Sequence, residues 1–173
     1  MIVLKEEINN SLSAIGTLAR WRLFVVSTLA AIGLGIDKDM AGFEHGYLLL
    51  FFAPFVCAYV DFLVYERVSV VFEIAKYLRN YDGQDKETRE LQKYERFVHD
   101  RRKRGISTGY QRWAHYGMSL CLAVLVPGLA LAVPQYQMVI CTHPWSLAMP
   151  VFGIIGVVLA FTRHLSRLKE TEG

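Results

Sequence analysis

The chain has 173 residues, 53% of them apolar and only 20% charged, with a net charge of +3 and a mean hydropathy of +0.27. That length suits one domain. The composition excludes an ordinary soluble domain, and three cysteines are too few for a disulfide framework and lack metal-site spacing. Between Arg112 and Arg163 there is no Asp, Glu, Lys or Arg. Such a run satisfies its backbone away from water only as helices, and it is long enough for two membrane spans.

The N-terminus does not read as a secretory leader, because Lys5 is followed at once by Glu6 and Glu7 and no small-residue cleavage site follows the first apolar run. Ile8, Leu12, Ile15 and Leu18 recur at helical spacing, which predicts an amphipathic interfacial helix over residues 1–22. Trp21, between Arg20 and Arg22, suits the membrane interface, where basic side chains can snorkel. The first span, 23–36, is short and ends at Asp37-Lys38-Asp39. Gly33 and Gly35 offer a close approach to a neighbouring helix.

The second span, 47–64, is expected to be interrupted by Pro54 and by Asp61. Val64, Val68, Val71, Ala75 and Leu78 continue its apolar stripe beyond the bilayer, so one long helix is expected to leave the membrane and end at Asn80-Tyr81-Asp82-Gly83. A second polar helix, 86–103, would return, making residues 65–112 a helical hairpin that closes on Arg101-Arg102-Lys103-Arg104. The third span is 113–133, with a kink expected at Pro127. An outside loop over 135–144 and a fourth span, 145–162, follow, the latter with a small-residue face at Gly153 and Gly156. Residues 163–173 form a tail.

The fold class is thus all-α: an integral membrane protein with four transmembrane helices, grouped as 23–64 and 113–162, and a cytosolic hairpin between spans two and three. Placing both termini in the cytosol puts eighteen of the nineteen Lys and Arg inside and only Lys38 outside. The positive-inside bias therefore predicts a multi-pass membrane protein with cytosolic termini.

Asp61 is the candidate intramembrane functional residue, since an ionisable group in a span is a site by default. It reads either as a carboxylate paired with Arg22 or Arg112 that fixes helix register, or as part of an ion or proton path. Arg101, Arg102, Lys103 and Arg104 read as a topology determinant or as ligands for anionic lipid head groups. Interleaved acids upstream and the lack of an aromatic-basic pattern argue against nucleic acid. Tyr77, Tyr81, Tyr94 and Phe97 either pack within the hairpin or bind a second copy or a cytosolic protein. His115, near Trp113 and Tyr116, reads as interfacial. Cys141 and His143 alone do not make a metal site. With no phosphate loop, zincin pair, nucleophile elbow or dinucleotide fingerprint, no enzymatic activity and no cofactor are expected.

Four spans with a basic helical hairpin between the second and third, together with Glu73-Ile-Ala-Lys-Tyr-Leu-Arg79 and the later Tyr94-Glu-Arg segment, resemble the small membrane subunits of bacterial anti-phage defence systems, the four-span Kiwa type among them. The resemblance lies in layout and implies a homo-oligomer that docks a soluble partner and responds to membrane disturbance. A second expectation, of a different class, is an oligomeric pore lined by Ser27, Thr28, Tyr59 and Asp61 that depolarises the cell. A transporter with helices broken at Pro54 and Pro127 is a third.

Overall fold

The computed structural model describes residues 2–35, 45–80, 89, 92–93, 96 and 109–172, and their elements are all helical. They are α1 (Ile2–Gly33), α2 (Gly46–Asn80), α3 (Gly109–Ala132), α4 (Pro134–Thr142), a 3-10 turn (Pro144–Leu147) and α5 (Ala148–Glu172). Four segments are long and apolar enough to cross a membrane: Glu6–Gly33, Gly46–Tyr77, Ala114–Ala132 and Pro144–Ser166.

The antiparallel bundle is built around α2. Leu50, Phe51, Ala53, Pro54, Cys57, Ala58, Val60, Asp61 and Val64 are all buried along one half of α2, while Leu48, Phe52, Tyr59 and Phe62 form an exposed stripe on the other. More of α2 is buried than of any other span, which puts it at the centre of the packing. Phe24 on α1, Phe52 on α2, Leu125 on α3 and Phe152 on α5 all point outward. An apolar exterior of this kind suits a hydrocarbon solvent and marks a liability in water.

Two close approaches bring the helices together. Near the end formed by Gly33 and Gly46, a Cβ on Gly33 would lie 2.8 Å from Leu50 Cγ and 2.9 Å from the Gly46 carbonyl. On α5, a Cβ on Gly153 would lie 2.5 Å from Pro54 Cβ, and one on Gly156 2.9 Å from Ala58 Cβ. The small-residue face expected at Gly153 and Gly156 therefore packs on α2, as van der Waals contact between helices in lipid requires.

Several boundaries differ from the sequence reading. Helix α1 is one unbroken helix through Trp21, so no separate interfacial segment is set off from the span. Helix α2 runs through Pro54 without interruption and continues to Asn80, which matches the expected extension. Pro127, where a kink is expected, lies within α3, which continues to Ala132. The expected loop over 135–144 is mostly α4. Val133, ahead of Pro134, is held extended at φ −88°, ψ 116°, which ends α3, and Pro134 then starts α4, where its missing N–H costs nothing. Tyr136 from α4 donates its hydroxyl to the Gly33 carbonyl at 2.5 Å and packs with Tyr47, closing that end of the bundle. We call it the loop end, and the opposite end the terminal end. Most of the expected hairpin return, including Tyr81, Tyr94, Phe97 and Arg101 to Arg104, lies outside the described residues, as does Asp37-Lys38-Asp39. Arg89, Gln92, Lys93 and Arg96 are helical.

Candidate functional site

A polar cluster joins α1, α2 and α3 inside the bundle. At 1.5 Å of rise per residue, Arg22 lies roughly 16 Å along α1 from Gly33, Asp61 roughly 22 Å along α2 from Gly46, and Ser119 roughly 20 Å along α3 from Ala132. If the helices cross a membrane from the loop end, all three positions fall within its hydrocarbon layer of about 30 Å. Antiparallel helices thus bring three polar side chains from distant parts of the sequence to one level.

Asp61 is 0% exposed and Arg22 1%. Arg22 Nη1 donates to Asp61 Oδ1 at 2.9 Å and also to the Ser119 hydroxyl, which in turn donates to the same Asp61 oxygen at 2.7 Å. Arg22 Nη2 reaches the His115 carbonyl at 3.5 Å, so the guanidinium ties α1 to both neighbours. His115 is one helical turn before Ser119 on the same face of α3, and its Nε2 lies 3.2 Å from Asp61 Oδ1. That atom is misaligned for a hydrogen bond and, with Asp61 Oδ2, Arg22 Nε and the Tyr116 hydroxyl, is buried without a hydrogen-bond partner among the described residues.

The energetics favour a lock. Two charges removed from water attract strongly, but much of that gain offsets their desolvation. Removing one partner strands the other, and hydrocarbon has no water to compensate it. The pair therefore specifies which helix faces meet and at what height more than it adds net stability.

Next to the cluster, Tyr116 packs on His115, Phe161 and His164, with ring centroids 5.2, 5.2 and 5.5 Å away. The His164 ring also meets Tyr65 and Phe72 of α2, at 6.5 and 6.4 Å. This aromatic layer seals the bundle toward the terminal end, where α2 and α5 continue side by side. In the other direction Cys57, Ala53 and Leu50, all 0% exposed, fill the space above Asp61 with apolar atoms.

The structure selects Arg22 as the partner of Asp61 from the two expected from sequence. It also corrects the reading of Arg22 as a snorkelling side chain. Successive residues on a helix point about 100° apart, so Arg20 and Trp21 face outward while Arg22 turns into the core. His115, expected at the interface, belongs to the cluster. Ser119 and His164 were not singled out in the sequence; the His115–Ser119 spacing of one turn was the available signal. The four residues expected to line a pore do not converge within one protomer. Ser27 and Thr28 face outward and bond back to the α1 carbonyls of Leu23 and Phe24, and Tyr59 is 66% exposed, whereas Asp61 faces inward. Of the hairpin aromatics only Tyr77 is described, and it is 54% exposed. Cys57 is buried, whereas Cys121 and Cys141 are exposed. No group of three metal-ligating side chains occurs among the described residues. Comparison with family models, with curated proteins and with solved structures finds no match.

Proposed function

We propose that this chain is a non-enzymatic, homo-oligomeric inner-membrane protein that serves as a docking platform for a soluble cytosolic partner. The observation that carries the reading is the form of α2. It is a single helix of 35 residues, pinned inside the bundle at Asp61 and extending to Asn80, with Glu66, Arg67, Glu73, Lys76 and Tyr77 displayed along its far half. A tilt of the span would move that displayed half as a rigid lever, which gives a disturbance of the envelope a direct route to a docked protein. The defence setting comes from the resemblance in layout: a partner acting on phage DNA or as another effector would fit it.

Co-purification tests the platform. Replacing Tyr94 and Phe97 by Ala should abolish capture of the soluble partner while membrane insertion is retained. Unchanged capture would remove the proposal.

The pore reading ranks second. A buried, paired Asp61 is a poor lining residue, and Ser27, Thr28 and Tyr59 would have to meet between protomers. In proteoliposomes the wild type should carry no current and cause no leakage; a current that Asp61→Ala alters would favour the pore.

A further inference from the structure

At the terminal end a cleft of about 520 Å³ opens between the first turns of α1 and the far half of α2, lined by Glu6, Glu7, Asn10, Ser11, Ala14 and Arg67. Its depth can be placed. Ala14 and Glu6 lie 19 and 27 residues from Gly33, or roughly 28 and 40 Å, and Arg67 lies 21 residues from Gly46, or roughly 32 Å. With a hydrocarbon layer of about 30 Å starting at the loop end, the cleft falls at the level of the lipid head groups. Its charges are mixed: two exposed carboxylates on α1 face one exposed guanidinium on α2. Ser11 is 4% exposed, lines the cleft and makes no side-chain hydrogen bond with a described residue. A buried polar hydroxyl on the wall of an open cleft marks a surface suited to a polar ligand.

The same side of α1 carries a second groove further into the membrane layer. Thr17, Arg20, Trp21 and Phe24 line it, with Trp21 and Phe24 edge to face at 5.9 Å. Asn10, Ala14, Thr17, Trp21 and Phe24 succeed one another at three- and four-residue steps, which keeps them on one side of a helix. The polar part of this track lies at head-group depth and the aromatic part at acyl-chain depth.

We propose that this track is a binding site for a phospholipid with a primary ammonium group, of the phosphatidylethanolamine type. Arg67 pairs with the phosphate, Glu6 and Glu7 accept hydrogen bonds from the ammonium, Ser11 and Asn10 complete the polar contacts, and an acyl chain lies along Trp21 and Phe24. Guanidinium is the preferred partner for phosphate, and charge-assisted bonds from an ammonium need N–H donors that a choline head group lacks. The site rests on the helices crossing a bilayer and is independent of partner docking.

The test is lipid binding by the full-length protein, delipidated in mild detergent and titrated with phosphatidylethanolamine, phosphatidylcholine and phosphatidylglycerol of identical acyl chains, with binding read by native mass spectrometry. The ethanolamine lipid should bind about tenfold more tightly than either of the others, a difference of about 1.4 kcal/mol. Glu6→Gln with Glu7→Gln should erase the preference over phosphatidylglycerol, and Arg67→Gln should weaken binding of every phospholipid. Equal binding of the ethanolamine and choline lipids by the wild type would overturn the proposal whatever the variants do. So would effective displacement of the lipid by free phosphoethanolamine at the same concentration, since the acyl track would then contribute nothing.

Discussion

The two ends of the bundle are held together by different chemistry. At the loop end, helices approach through what is missing: Gly33 and Gly46 let α1 and α2 touch at the backbone, and a single neutral hydrogen bond from Tyr136 caps the contact. Nearer the terminal end, they are joined by what is present, a guanidinium, a carboxylate and a hydroxyl from three helices. The first arrangement is short-ranged and tolerates no added volume. The second is directional and fixes identity: Asp61 accepts only a face that brings donors, so register is specified even between apolar helices that lipid would allow to slide. Close packing supplies attraction, and the buried pair supplies uniqueness.

Substitutions can break either arrangement, and the largest effects belong to the charges. Asp61→Asn or Arg22→Met alone leaves an uncompensated polar or ionic group in the core and should destabilise the bundle by about 3–5 kcal/mol, read by unfolding in mixed micelles. Next comes volume. Gly153→Ala drives a Cβ into the α2 backbone at Pro54 and Phe55, atoms that cannot swing aside, and should cost about 1–3 kcal/mol. Tyr136→Phe, which removes one hydrogen bond at the loop end, should cost about 1 kcal/mol in the same assay. The smallest change has the opposite sign. Gly128 sits in the interior of α3 with no atom within 4 Å of an added Cβ, so Gly128→Ala should stabilise by about 0.5–1 kcal/mol through helix propensity. A loss of stability there would show that the outer face of α3 is covered by something that excludes a methyl group.

The sequence makes the span count and the α5 packing face readable because both are patterns of one residue type: long uncharged runs, and glycines at helical spacing. Gly153 and Gly156 could be assigned to a packing face before any helix was placed. The extension of α2 was legible for the same reason, through the stripe Val64, Val68, Val71 and Ala75. The polar cluster was only half legible. Asp61 is conspicuous in an apolar run, and the only basic residues near its depth are few, so Arg22 could be named among two partners. Ser119 and His115 could not be named, since hydroxyls and imidazoles occur throughout spans and interfaces and nothing local separates one that meets a carboxylate from one that does not. The choice is made by the relative heights of three helices, which depend on the Gly33–Gly46 contact and on Tyr136 of α4. Helix α4 itself escaped because its polar residues and its two flanking prolines read as a loop, although Pro134 is a good first residue for a helix.

The central claim is that Arg22 and Asp61 act as one unit that locks register. A double-mutant cycle with Arg22→Met, Asp61→Leu and the two combined, read as the free energy of unfolding in mixed micelles, tests it most directly. The account predicts strong destabilisation by each single change and recovery in the double, with a coupling of about 2 kcal/mol or more, because two stranded groups are replaced by two apolar side chains that pack. Additive losses would contradict it, and would mean that each residue serves a separate purpose in the membrane.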